Sequence, residues 1–260
     1  MTAPRPQSIP VFLLVKSAFQ VLWQQRDDAL RLGFIPTLLC FGGLLYGHDA
    51  LIAVAKQWQS GTIGPSPPGV SLKMFVMMLI VFLGMVLAIG NWLRFMLLGP
   101  MGAVGLGLAF GRPHIMFLVA CVVLEFAGSI ALSVISMPLA GLPGALGLIG
   151  FLAGFMIVIV ALVRLSPFVV GQVIAQPMSL QEAWRSSRGN GVPLTIALIV
   201  VQVPIWIATS LLNQVLFAVG FAAVAPLAMI FITSAFVTLI ALLQATILAA
   251  AFRQMVGIRA

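Results

Sequence analysis

Apolar stretches long enough to cross a lipid bilayer recur six times along this chain of 260 residues. A transmembrane helix needs about 20 consecutive apolar residues to span a hydrocarbon core of about 30 Å. Charged residues make up 7% of the chain and hydrophobic residues 62%, whereas a soluble domain carries roughly 25% charged residues. So few polar groups cannot cover a water-soluble fold. We therefore predict an all-α fold, a polytopic membrane helical bundle with six transmembrane helices, at 30–47, 73–98, 115–137, 146–170, 194–217 and 227–252.

Residues 8–260 are predicted to form this single domain, after a loose N-terminal tail at 1–7 that holds two prolines. The end of the first span stays open, because His48 and Asp49 interrupt an apolar run that resumes as LIAVAKQW. The segment after the interruption is either a tilted continuation of the span or an interfacial piece.

The stretch between the fourth and fifth spans predicts a short amphipathic helix at 179–188. Ser179 and Glu182 have the S-x-x-E spacing of a capping box, in which each side chain satisfies a free backbone N–H at the helix start. Gly189 and Gly191 are suited to a helix end, and Pro193 to the first turn of the next helix. We interpret the segment as lying flat on the membrane; a solvated loop is the alternative.

A second amphipathic helix is predicted near the N-terminus, at 8–25. Its apolar positions between Val11 and Trp23 follow helical spacing, with Lys16 and Gln20 opposite them. The run is too short and too polar to span, so an interfacial helix is favoured. The expected interfacial anchors of the two amphipathic helices are Trp23, Trp184, Arg185 and Arg188.

Basic residues predict the orientation of the bundle. With six spans, eleven of the thirteen Lys and Arg residues fall on one side, and Lys56 and Lys73 on the other. Because cytoplasmic loops carry an excess of Lys and Arg, both termini and both amphipathic helices are predicted to be cytoplasmic. Anionic lipid, and not nucleic acid, then accounts for the net charge of +8. The predicted location is the inner membrane of a bacterium.

Several polar side chains fall at similar depths in the predicted spans. Glu125 lies near the middle of its span, and a charge there costs at least a few kcal/mol. We therefore predict that Glu125 faces the bundle interior and pairs with Arg164 or, second, with Arg94. The complete predicted intramembrane cluster is Glu125, Arg164, Arg94, Asn91, Gln202 and Gln244. It is interpreted either as a site that handles protons or substrate, or as a polar clasp that fixes helix packing; a protonated Glu125 with a single hydrogen bond is a third possibility.

No catalytic residues, cofactor or metal site are predicted. The chain has no H-E-x-x-H, G-x-S-x-G or paired-cysteine spacing, and its two cysteines fall inside apolar runs. Arg94, Arg164 and Arg253 each lie near the cytoplasmic end of an even-numbered span, which indicates either an old internal repeat or, as we favour, three separate responses to the charge bias. Small residues on one helix face, Gly147, Gly150 and Gly154, predict close helix packing within the bundle or between subunits.

The order of elements around the amphipathic helix resembles a known family. An arginine near a span end, a proline, a helix written L-x-E-A-W-x-x-S-x-G and a further span are similar to the YciC-like bacterial inner-membrane proteins, and to the membrane domain that accompanies some glycerophosphoryl diester phosphodiesterases. The residues that carry the resemblance are Arg164, Leu165, Pro167, Leu180, Glu182, Ala183, Trp184, Ser187, Gly189 and Gly191. The resemblance implies six spans and no particular activity.

A non-enzymatic role follows as the leading functional prediction. The chain is expected to be a scaffold or accessory subunit that binds membrane lipids, and either another membrane protein or a second copy of itself. The alternative is a small transporter or permease for a lipid-like or small hydrophobic molecule. An intramembrane enzyme is the third option. A polar path that crosses the whole bundle would favour transport.

Overall fold

The computed structural model describes residues 10–60, 68–102, 111–140, 144–219 and 225–257, and the regular structure in these ranges is helical. The helices are α1 (Val11–Gln24), α2 (Arg26–Gln59), α3 (Pro68–Leu98), α4 (Arg112–Ala140), α5 (Ala145–Arg164), α6 (Ser166–Val173), α7 (Leu180–Ser186), α8 (Gly191–Ala218) and α9 (Pro226–Met255), with a 3-10 turn at Pro100–Gly102. Six segments are long and apolar enough to cross a membrane, with α5 and α6 together forming one of them. The predicted all-α, six-span fold is confirmed.

The first span is longer than the apolar run that predicted it. Helix α2 continues without a break through His48 and Asp49 and contains 34 residues, which makes it about 51 Å long at about 1.5 Å per residue. This exceeds the hydrocarbon core, so α2 extends beyond it. Asp49 forms an ion pair with Lys73 of α3. The polar interruption is thus a contact between two helices and does not end the helix.

The predicted fourth span, 146–170, is confirmed as the membrane-crossing segment Ala145–Val173, which is built from two helices. Helix α5 ends at Arg164, and α6 begins at Ser166 with Pro167 in its first turn. Proline lacks a backbone N–H and clashes with the preceding turn, so a helix interrupts there and restarts readily. Helix α6 ends with Gln176 N–H bonded to the Gly171 carbonyl at 2.9 Å.

Helix α9 lies at the centre of the bundle and packs against α1, α2, α3, α6 and α8. Its Ser234, Thr238 and Thr246 are buried, and each hydroxyl donates to a carbonyl one turn earlier in the same helix. These bonds remove the cost of burying a hydroxyl. On one side of α9 the core is formed with α3, α6 and α2; on the other side it is formed with α1 and α8.

The N-terminal amphipathic helix packs onto this core. Leu14 and Ala18 of α1 are buried against α8 and α9. Phe12, Phe19 and Trp23 remain exposed. The helical spacing predicted at 11–23 is confirmed, and its position at the membrane interface stays a prediction.

Small residues allow α4 and α5 to approach closely. Gly147 and Gly154 are buried. A Cβ atom on Gly150 would lie 3.0 Å from Cβ of Leu139 in α4, and one on Gly128 would lie 2.8 Å from Cδ1 of Leu162 in α5. The glycine face predicted from the sequence therefore serves at least partly for packing inside the bundle.

Candidate functional site

The six predicted cluster residues lie in separate arrangements and do not form one site. Gln202 of α8 and Gln244 of α9 bond to each other at 2.9 Å on the exposed side of the bundle. Asn91 is buried in the core, Arg94 and Arg164 donate to backbone carbonyls, and Glu125 is exposed. The prediction of a single intramembrane polar cluster is therefore wrong.

Glu125 is exposed on α4, with no hydrogen bond or ion pair to any residue in the part of the chain that the structure describes. Its neighbours Val122 and Phe126 are 49% and 69% exposed. The predicted pair with Arg164 does not form. On α5, Leu162 is the residue that faces Gly128 of α4. Arg164 lies two residues later and therefore about 200° further around the helix, so its side chain points away from α4.

Arg164 instead clasps the amphipathic helix α7. Its guanidinium carbon lies 3.6 Å from the ring centroid of Trp184, and Nη2 donates to the Trp184 carbonyl at 2.9 Å. The stem of the arginine lies against the first residue of α8: a Cβ atom on Gly191 would be 2.5 Å from its Cγ. One side chain therefore ties together the end of α5, the helix α7 and the start of α8.

Arg94 and Arg253 bind helix ends in the same way. Arg94 Nε donates to the Gly102 carbonyl at 2.8 Å, and its Nη1 donates to the Val173 carbonyl at 2.7 Å. Arg253 donates to the carbonyl of Met96. Carbonyls in the last turn of a helix lack intrahelical partners, and cationic donors satisfy them well. The three arginines near the ends of even-numbered spans thus share one structural role: each donates a hydrogen bond to a backbone carbonyl of another helix or turn.

These hydrogen bonds of Arg94, Arg164 and Arg253 lie at one end of the bundle, which we call the basic face. Helices α4 and α8 begin at this end. The predicted anchors Arg185 and Arg188 are exposed here. Of the two predicted tryptophan anchors, Trp184 is 41% exposed and Trp23 is 72% exposed.

The amphipathic helix at this face carries the predicted capping box, with Glu182 N–H bonded to Ser179 Oγ and Ser179 N–H to the Glu182 carboxylate. Gly189 has a φ of +83°, as expected just after a helix end.

A buried polar pair that the sequence did not suggest joins α3 to α4. Asn91 Nδ2 donates to the Leu87 carbonyl at 2.9 Å, and Asn91 Oδ1 lies 3.2 Å from His114 Nε2. The Gly111 N–H approaches His114 Nδ1 at 3.4 Å. If Nδ1 accepts this contact, Nε2 carries the proton and donates to Asn91. The sequence feature that could have indicated this pair is the position of His114. It directly follows Pro113 at the start of a span and lies level with Asn91.

Two cavities lie apart from these contacts. One, of about 750 Å³, opens between α7 and the end of α9, where Glu182, Arg185 and Ser186 line it. The other, of about 880 Å³, lies between α2, α8 and α9 at the opposite end of the bundle. Its lining includes His48, Gln214 and Asn213, whose buried Oδ1 has no hydrogen-bond partner among the residues that the structure describes.

Among the described residues, no group of three or more His, Cys, Asp or Glu side chains is placed to hold a metal ion. Cys40 and Cys121 are free thiols. Arg94, Arg164 and Arg253 bind helix ends, and Glu125 is exposed on α4 with no bonded partner in the described part of the chain.

The fold and the arginine-capped basic face define a multi-pass helical membrane protein. Comparison with protein-family models, curated proteins and solved structures finds no match to this chain. The resemblance to the YciC-like proteins therefore stays a prediction from its motif.

Proposed function

We propose that this protein is a non-enzymatic scaffold or accessory subunit of a bacterial inner membrane, and that it docks another membrane protein against α4. The observation that carries the proposal is Glu125, an exposed acid near the middle of a span with no partner among the described residues. A carboxyl group in hydrocarbon costs a few kcal/mol unless another group supplies a hydrogen bond. A neighbouring protein can supply that group.

The surroundings of Glu125 fit a protein partner. The exposed side chains of Val119, Val122, Phe126 and Ile130 follow one side of α4 at helical spacing. An apolar helix face with one polar group is typical of helix association in membranes, where packing brings the helices together and a hydrogen bond selects the partner. The partner helix should offer a donor, such as an Arg, Lys, Gln or Ser side chain, at the level of Glu125.

Photo-crosslinking in native membranes tests the docking face. A crosslinking amino acid at Val122 should capture a defined membrane protein, and Glu125→Leu should lower the yield about fivefold or more, since an interhelical hydrogen bond contributes about 1–2 kcal/mol. Glu125→Gln should retain most of the yield, because an amide still bonds to a donor.

The matched control places the same crosslinker at Leu211, which is exposed on α8. Capture of the same protein from both positions, or a yield at Val122 that does not change with Glu125→Leu, would remove the docking proposal. Crosslinks between identical chains that depend on Glu125 would replace the heterologous partner with a homo-oligomer.

The alternative, a small transporter or permease for a lipid-like molecule, draws on the cavity that holds Asn213 Oδ1. It becomes the better proposal if Glu125→Gln leaves stability and crosslinking intact but abolishes uptake or efflux of such a molecule by reconstituted vesicles.

The proposed orientation has a direct test. The eleven-to-two distribution of basic residues motivates cytoplasmic termini. Activity-reporter fusions after Ala260 should report the cytoplasm, and fusions in the segment between α2 and α3 should report the periplasm. Reporters in the same compartment at both sites would contradict this orientation.

A further inference from the structure

An apolar groove of about 680 Å³ runs along the outside of the bundle between α1, α2 and α9. This volume lies within the range of about 300–1,000 Å³ that small-molecule sites occupy. It is lined by Phe19 and Trp23 of α1, by Leu30 and Phe34 of α2, and by Leu239 of α9. Arg26 is the one charged residue in the lining, and it lies at the junction of α1 and α2.

The groove has the length of one membrane leaflet. Its lining on α2 begins at Arg26 and ends at Leu38, a distance of about 18 Å along the helix axis. Half of a hydrocarbon core is about 15 Å thick. A groove with a charge at one end and this apolar length therefore matches a single lipid chain in the leaflet at the basic face.

Close contacts between α2 and α9 lie at the inner end of the groove. Thr37 Oγ1 donates to Thr238 Oγ1 at 3.0 Å. One turn further along α2, the rings of Phe41 and Phe231 meet edge to face with centroids 5.9 Å apart. The lining of the groove on α2 stops at Leu38, before Phe41, so the groove covers only part of the length of the helix, as suits a bound lipid, and does not form a path across the membrane.

Arg26 is available to an anionic headgroup. Its nearest acid, Asp27, lies 3.9 Å from Nε, and the two side chains are 62% and 95% exposed, so their attraction is weak. Arg31, by contrast, is held at 2.9 Å from Asp28. The Arg26 guanidinium also lies 5.5 Å from the Trp23 ring centroid, which places it beside the groove wall. A guanidinium with free donors binds phosphate oxygens through two parallel hydrogen bonds.

We propose that this groove binds one anionic phospholipid of the leaflet at the basic face, with its phosphate on Arg26 and an acyl chain between α1, α2 and α9. The site is on a different part of the bundle from Glu125, so it does not depend on the docking proposal. A phospholipid is favoured over a partner helix because the groove combines a charged residue at one end with a mostly apolar lining of about the length of one leaflet.

Native mass spectrometry of the full chain tests the site. The delipidated protein is reloaded with phosphatidylglycerol or phosphatidylcholine of identical acyl chains, and the first bound lipid is quantified. The wild type should retain phosphatidylglycerol about fivefold better, the factor that corresponds to about 1 kcal/mol for one arginine at an anionic surface. Arg26→Gln should bring the ratio close to one.

Arg31→Gln is the matched control, since it removes the same charge from the next turn of α2, outside the groove lining. It should leave the ratio within about twofold of the wild type, because its guanidinium is already paired. Equal loss in the two variants would indicate a general surface-charge effect, and unchanged ratios in both would overturn the site.

A second pair of variants tests the apolar part without touching the charge. Ala235→Phe fills the groove from α9 and should lower retention of both lipids severalfold, whereas Ala208→Phe, at an exposed position of α8, should not. This pair decides the proposal if Arg26→Gln fails to fold. Equal lipid retention in the two Phe variants would contradict it. Crosslinking at Val122 should be unchanged by Ala235→Phe, so the lipid site and the docking face can fail independently.

Discussion

Replacement of Trp92 by alanine is expected to lower the free energy of unfolding by about 3–5 kcal/mol, the range for large aromatic residues removed from a core. Trp92 is fully buried where α3, α9 and α6 meet. Its Nε1 donates to Thr246 Oγ1 at 2.7 Å, and its ring stacks on Phe95 with centroids 5.2 Å apart. Alanine would leave a cavity and would remove the hydrogen bond that the Thr246 hydroxyl accepts, while that hydroxyl keeps its bond to the Leu242 carbonyl. Reversible denaturation in mixed detergent micelles measures the change.

The matched control is Trp206→Ala on α8, where the side chain is 65% exposed. This change should alter stability by less than about 0.5 kcal/mol, as is usual for surface substitutions. Thr246→Val removes the acceptor of the Trp92 indole N–H without opening a large cavity, and it should cost about 1–3 kcal/mol because a buried donor is left unsatisfied. Similar losses for Trp92→Ala and Trp206→Ala would show that the packing around Trp92 does not support the bundle.

Arg164→Ala is expected to lower the free energy of unfolding by about 2–4 kcal/mol. A hydrogen bond from a charged donor contributes about 1.5–3 kcal/mol, and a guanidinium over an indole ring contributes about 0.5–2 kcal/mol. Both interactions here involve Trp184. Arg164→Lys should recover only part of the loss, because an ammonium group cannot stack on the ring as a planar fork does. Thermal denaturation in nanodiscs gives the ranking of the variants.

Double variants distinguish the observed contact between Arg164 and Trp184 from the ion pair between Arg164 and Glu125 that the sequence predicted. Arg164→Ala and Trp184→Ala should be non-additive by about 0.5–3 kcal/mol, since each removes the same contact. Arg164→Ala and Glu125→Gln should be additive within about 0.5 kcal/mol, because the two residues are not bonded to each other. Coupling between Arg164 and Glu125, with none between Arg164 and Trp184, would restore the original prediction.

The arginine contacts bear on the proposed scaffold role. Arg94, Arg164 and Arg253 donate to backbone carbonyls near the ends of helices or turns other than their own. Such bonds fix the mutual positions of the helix ends at the basic face. Under the proposed scaffold role, these fixed helix ends would support the face of α4 on which Glu125 lies exposed, with no bonded partner among the described residues.

Sequence alone determined the features that depend on local physics. Long apolar runs predict membrane spans wherever they occur, because every backbone polar group must bond within its own helix in a bilayer. The capping box at Ser179 and Glu182 was predictable for a similar reason, since it involves residues three apart and needs no distant partner. Gly189 after α7 is a third case, because the positive φ at a helix end favours glycine through its missing side chain.

Tertiary structure alone decided where the polar side chains point. Depth along a span follows from residue number, so Glu125 and Arg164 were correctly placed near each other in height. Direction around a helix depends on which face packs, and the contact of Leu162 with Gly128 turns Arg164 away from α4 toward Trp184. The sequence did not decide whether α2 continues past Asp49, for the same reason. Lys73, the ion-pair partner of Asp49, lies 24 residues further along the chain. Pairings of this kind are set by the packing of whole helices, which no local pattern contains.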